Sequence, residues 1–228
     1  MIQFPREYFD DITPEKISEL LKLSEPYWHS RSERYKRYLR KSDKTELMGG
    51  DPERVSAPYE YYIANMAKGY NTGKPPVYTV SSEADEGKES DEAYQDEIDR
   101  IRRYNDDPST RARVFHEYSI ATTSYLYITE DEYGEIAYYR MDSRNSMVFY
   151  DYAPKPYPIA FLRTWEETIN DEKVQKVEII TAEYRRIYDS EGNAQSFVDY
   201  DENGNESEMT EKPLYWDDVP VVAFEQPD

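Results

Sequence analysis

Tyr118-Ser119-Ile120-Ala121-Thr122-Thr123-Ser124-Tyr125-Leu126-Tyr127-Ile128 is the stretch at which the chain changes period. Up to it, Val114, Tyr118 and Ala121 recur at helical spacing, and Ser109 has the chemistry of an N-cap for that helix. After it, Tyr125 to Ile128 is an aromatic and branched run that reads as a strand. Asp131-Glu132-Tyr133-Gly134 turns the chain into Ile136 to Met141, which completes a hairpin. Helices on one side of the switch and antiparallel strands on the other make the fold class α+β, with N-terminal helices followed by an antiparallel β meander.

Toward the N-terminus, four more helical regions are expected. Thr13 precedes Pro14-Glu15-Lys16, which places Pro at a first helical position, and Ile17, Leu20, Leu21 and Ser24 follow at helical spacing. Pro26 is expected to interrupt this helix, so that a second one spans Tyr27 to Arg40 with Trp28, Tyr35 and Leu39 on one face. Gly49-Gly50-Asp51-Pro52 reads as a loop, and Pro58 opens a helix carrying Tyr62, Met66 and Gly69. The acidic stretch Ser81 to Asp91 reads as an exposed loop, and Tyr94, Ile98 and Ile101 form an amphipathic helix that ends near Asn105.

Toward the C-terminus the meander continues. Met147 to Tyr150, Ile159 to Trp165 and Val174 to Tyr188 read as strands, separated by prolines 154, 156 and 158 and by Asn170-Asp171. Ser190-Glu191-Gly192-Asn193 turns the chain into Gln195 to Tyr200. Asn203-Gly204-Asn205 leads into a further strand, and Val219 to Phe224 closes the series. Three segments follow from this order: an N-terminal helical arm at 1–45, a helical part at 46–123 and an antiparallel β part at 124–228.

Composition bounds the chemistry. The 228 residues hold 28 Lys and Arg against 48 Asp and Glu, a net charge of −20, so most of the surface repels nucleic acid. The chain has no cysteine, which excludes a disulfide scaffold and Cys-type zinc sites. No apolar run is long enough to span a bilayer, and no signal peptide opens the sequence. Its 24 tyrosines outnumber 7 phenylalanines, which predicts many half-buried rings at a core edge or a subunit interface. One segment runs against the acidic bulk: Arg31, Arg34, Arg37 and Lys41 lie in a locally basic helix. They are candidates for contact with phosphate or an acidic partner, against a plainer reading as a solvated face that pairs with the chain's own carboxylates.

Motifs with a chemical mechanism are incomplete. Gly69 to Lys74 is one residue short of a phosphate loop, and Pro75 stands where the magnesium-binding hydroxyl belongs. Asp199, Asp201 and Asn203 alternate before Gly204 like the first half of a calcium loop, but the twelfth position is Thr210 rather than Glu, and the flanks read as strands. His116-Glu117 lacks the second histidine of a zinc hydrolase, and no Gly-x-Ser-x-Gly occurs. No cofactor is called for.

A set of segments taken in order resembles the N-terminal half of tailed-phage portal proteins of the Gram-positive siphophage type. It begins with the basic, Tyr-bearing Arg31 to Leu39 and with Gly69-Tyr70-Asn71-Thr72-Gly73-Lys74-Pro75 after a helix. Ile98 to Asn105, Tyr118 to Ile128, Pro158-Ile159-Ala160-Phe161-Leu162-Arg163 and Val219 to Phe224 follow. Thr122 or Thr123 stands where that family often has Gly. The resemblance covers nearly the whole chain. It implies a non-enzymatic structural protein: the peripheral wing of a homo-oligomeric ring, usually a dodecamer, at one capsid vertex, through which double-stranded DNA is packaged and ejected. The implied partners are other portal subunits, capsid and scaffolding proteins, and double-stranded DNA in transit. Terminase and a head-completion adaptor would dock on the stem, clip and tunnel loop, which would come after Val219 to Phe224 and which a sequence ending at Asp228 does not contain. The implied location is the virion, with no membrane. Two readings of other classes stand beside it: a calcium- or ligand-binding β-rich domain, and a small hydrolase with an unrecognised carboxylate pair.

Overall fold

The computed structural model describes residues 1–39, 59–80, 88–131, 133–169, 171–200 and 206–225. Among these, β1 (Ile2–Gln3) and a 3-10 turn (Arg6–Phe9) precede four helices: α1 (Pro14–Leu39), α2 (Tyr59–Thr72), α3 (Lys88–Tyr104) and α4 (Asp107–Ala121). Strands follow: β2 (Thr123–Glu130), β3 (Ile136–Met141), β4 (Ser146–Tyr150), β5 (Pro158–Ile169), β6 (Glu172–Ile180) and β7 (Tyr184–Asp189). The last are β8 (Ala194–Gln195), β9 (Phe197–Tyr200), β10 (Glu206–Met209), β11 (Glu211–Pro213) and β12 (Val221–Glu225). The expected α+β class and the switch at Thr122 hold. Thr122 is the C-cap of α4, in the left-handed region at φ 59°, and its N–H donates to the Tyr118 carbonyl.

The main sheet runs β1-β4-β5-β6-β7-β11, with β8 also paired to β7. It is antiparallel except for β1, which lies parallel to β4. Every residue of β4 is buried, so this strand is covered on both faces. Strand alternation explains how. Met147 and Phe149, with Leu162, Val177 and Ile179, face a core closed by Phe4, Phe9, Ile17 and Leu20. Val148 and Tyr150, with Phe161 and Ile180, face the opposite way, toward Tyr125, Tyr127 and Val221 of a three-stranded sheet ordered β12-β2-β3. Burying each such Phe or Ile side chain contributes roughly 1.5–3 kcal/mol.

Several boundaries differ from the sequence reading. Pro26 does not break the first helix: α1 runs through it for 26 residues. Ile17, Leu20, Ser24 and Arg31 form its buried stripe along the main sheet, and that packing offsets the hydrogen bond and steric room a mid-helix proline costs, about 3 kcal/mol. Leu39, expected on a packed face, is instead exposed. Val174 to Tyr188 is a hairpin, not one strand. The turn carries no Gly or Pro; the Thr181 hydroxyl accepts from the Glu183 and Tyr184 N–H groups and closes it. The cap of α4 is Asp106, at φ 44°, rather than Ser109, because Pro108 fits in the first turn of a helix. Lys88 to Asp91, read as part of a loop, are the first turn of α3. The Gly49–Pro52 loop, Pro58, residues 81–87 and the Asn203-Gly204-Asn205 turn lie outside the described residues.

Candidate functional site: an apolar helix face beside an open cleft

Carboxylates buried in this acidic chain are each held by arginine. Glu178 projects from β6 into the second core and accepts from the Nε atoms of Arg163 and Arg185. Glu117 on α4 accepts from Arg140 and from the Ser143 N–H. Asp107 accepts from Arg111 at 2.7 Å, Tyr138 Oη at 2.9 Å and Arg102 at 3.2 Å. Burial alone would raise the Asp107 carboxyl, but the hydrogen bonds from Arg111 and Tyr138 outweigh it and hold the pKa below the usual carboxylate value. These groups are anchors between elements.

The basic residues singled out in the sequence divide. Arg31 is 5% exposed, and its guanidinium donates to the Ser143 and Ser146 carbonyls at 2.7 and 2.9 Å and to Tyr125 Oη at 3.1 Å. Tyr125 Oη in turn donates to Glu225, whose other oxygen accepts from Tyr150 Oη, both at 3.0 Å. One network thus ties α1, β2, β4 and β12. Arg34 donates to the Ala121 carbonyl and to Thr122 Oγ1, stapling α1 to the helix-to-strand switch. Arg37 is exposed, and Lys41 lies outside the described residues. Asp199 is in β9, which pairs with β10 as a hairpin; Asp201 and Asn203 lie outside the described residues. Among the described residues, no cluster of three or more His, Asp or Glu could hold a metal ion. Gly69 to Lys74 sits at the C-terminal end of α2, where carbonyls point outward, whereas phosphate loops use the N–H groups of a helix N-terminus.

The open part of the molecule is elsewhere. Helix α4 packs against the face of β2 opposite the second core, and α2 packs on α4 through its small side, Ala64 being buried. The other side of α2 presents Tyr59, Tyr62, Ile63, Met66 and Tyr70 at helical spacing, all exposed, Tyr70 at 92%. Beside it, a cleft of about 940 Å³ opens between the end of α2, α3, α4 and the outer face of the three-stranded sheet. Val114, Phe115 and Tyr118 of α4 and Leu126 and Ile128 of β2 form its apolar wall. Phe224, opposite Ser124 in the β12–β2 register, lines it from the sheet edge. Arg102, Arg111 and Lys74 add positive charge, and both guanidiniums lie over the Tyr78 ring, 4.7 and 5.0 Å from its centroid. Ser124 Oγ, on the cleft lining, is buried with no hydrogen-bond partner.

Asn105 shows how α3 is set over this region. Its side-chain amide donates to the Ile136 carbonyl and accepts from the Tyr138 N–H, both near 2.8 Å, so it pairs with edge strand β3 as a neighbouring strand would. The sequence marked Asn105 as a helix end and gave no sign of this second role.

The sequence that builds these elements is matched by a known family. The family model described as phage portal protein, SPP1 Gp6-like, matches residues 7–226. The chain belongs to the phage portal protein family. No curated protein matches it. Portal-family membership implies a structural role in a phage and assembly into an oligomer with capsid components. For a portal-family chain, an exposed aromatic helix and an apolar cleft are surfaces to be read against assembly rather than catalysis. No described helix is long and apolar enough to cross a membrane.

Proposed function

We propose that this chain is the wing region of a portal ring at a capsid vertex, through which double-stranded DNA enters and leaves, and that it has no catalytic activity. The observation that carries the reading is the family match across residues 7–226. Two features of the fold support it. The buried carboxylates are engaged by arginines as anchors, and an acidic chain at −20 suits a wall past which DNA slides without tight binding. In this reading residues 1–45 are the helical arm, 46–123 the helical part of the wing and 124–228 its β part. Exposed Arg37 is the described residue of the basic helix best placed for a partner or phosphate contact, because Arg31 and Arg34 are committed within the fold.

Loss of the chain tests the proposal. A phage unable to make it is expected to yield heads without packaged DNA, with restoration by the gene in trans. DNA-filled, infectious particles lacking the chain would overturn the reading. The catalytic clause has its own check: ATP turnover by the purified chain that disappears in Lys74→Ala would contradict it.

A further inference from the structure

We propose that the exposed face of α2 docks into the α2–α3–α4 cleft of a second copy of this chain. The inference rests on the portal reading only in that the contact then recurs around a ring. Three observations carry it.

First, the uncharged α2 face is large. Five side chains at half exposure or more present on the order of 500 Å², taking about 200 Å² per aromatic residue. That lies in the upper range for the largest apolar patch of a free monomer, and is more than half of the roughly 800 Å² that each partner buries in a standard interface. Second, the chain carries a concave apolar counterpart in the 940 Å³ cleft. A convex and a concave patch at different places on one chain make a heterologous contact, the kind that closes into rings, whereas a self-complementary patch gives only a two-fold dimer.

Third, the cleft chemistry suits tyrosine. Arg102 and Arg111 already sit over the Tyr78 ring, so the cleft holds one phenol of its own chain by cation–π contact. The incoming face offers Tyr59, Tyr62 and Tyr70.

The test places a photo-reactive benzoylphenylalanine at Met66, or at the exposed control Tyr152, in the full chain at high micromolar concentration. Illumination is expected to give a two-chain adduct from the Met66 probe and none from the Tyr152 probe, with peptide mapping of the join to Phe115, Leu126 or Phe224. Phe224→Asp in the acceptor is expected to cut the yield by roughly tenfold or more, with an unchanged far-ultraviolet spectrum. No two-chain adduct, a join of α2 to α2, or a yield indifferent to Phe224→Asp would each overturn the inference. Failure here leaves the portal reading standing if particles still require the chain to hold DNA. If DNA-filled particles form without the chain, the portal reading fails whatever the adduct shows.

Discussion

The main sheet and the α2 face are built on opposite plans. On the sheet, β4 is buried at all five positions, and the buried Glu178 carboxylate is held by two arginines. On α2, the small side packs inward while tyrosines, an isoleucine and a methionine point to solvent. Hydrophobic side chains on the sheet satisfy one another within the chain. On α2 they do not. That contrast marks the sheet as the well-packed body of the protein, and the α2 side as the part that leaves apolar surface uncovered in the free chain.

Substitutions in the two regions should therefore behave differently. The largest effect is expected in the sheet. Phe161→Ala opens a cavity where Phe161 stacks edge-on to Tyr125, and chemical denaturation should show a loss of about 4 kcal/mol. Glu178→Gln leaves Arg163 and Arg185 without their shared carboxylate, and the same measurement should read a loss of about 3 kcal/mol. Gly192→Ala comes next. Gly192 has φ +88°, and an added Cβ would lie 2.5 Å from the Pro14 Cα, so the turn after β7 would be pushed off the start of α1, at a cost of about 2 kcal/mol.

A smaller effect concerns pH. His116 of α4 meets the Tyr38 ring of α1 edge-on, and burial, with Lys68 and Arg140 nearby, lowers its pKa below 6.5. The unfolded chain then binds the proton more readily than the folded one, so stability should fall as pH drops through 6.5 and on toward the folded-state pKa. His116→Gln should flatten that part of the stability curve, and a curve unchanged by the substitution would remove His116 as its cause. The smallest effect is expected on α2 itself. Tyr62→Asp with Met66→Asp should change the stability of the free chain by no more than about 0.5 kcal/mol, since neither side chain is packed. A large loss there would erase the contrast between the two regions.

The α+β order was legible because the period changes within a few residues, from Tyr118 and Ala121 to Tyr125 and Tyr127. The β2–β3 hairpin was legible from its Gly134 turn, which takes φ +74°. Other features depended on contacts that no local pattern encodes. Pro26 reads as a breaker, yet it is carried by the packing of Leu20, Ser24 and Trp28 on the sheet. The Thr181 turn has no punctuating residue. Arg31 looks like its exposed neighbours Lys36 and Arg37, and only the carbonyls of Ser143 and Ser146, more than a hundred residues away, distinguish it. The α2 face fared in between. The excess of tyrosine pointed to half-buried rings or an interface, but which rings stayed outside was settled by Ala64 turning inward.

Hydroxyl-radical footprinting of the side chains, on the free chain and on assembled particles, tests the contrast most directly. Met66, Tyr62 and Tyr70 should react readily in the free chain and be strongly protected after assembly, while Phe149 and Phe161 should be protected in both and exposed Tyr152 should stay reactive in both. Equal reactivity of Met66 in the free and assembled states would contradict the account.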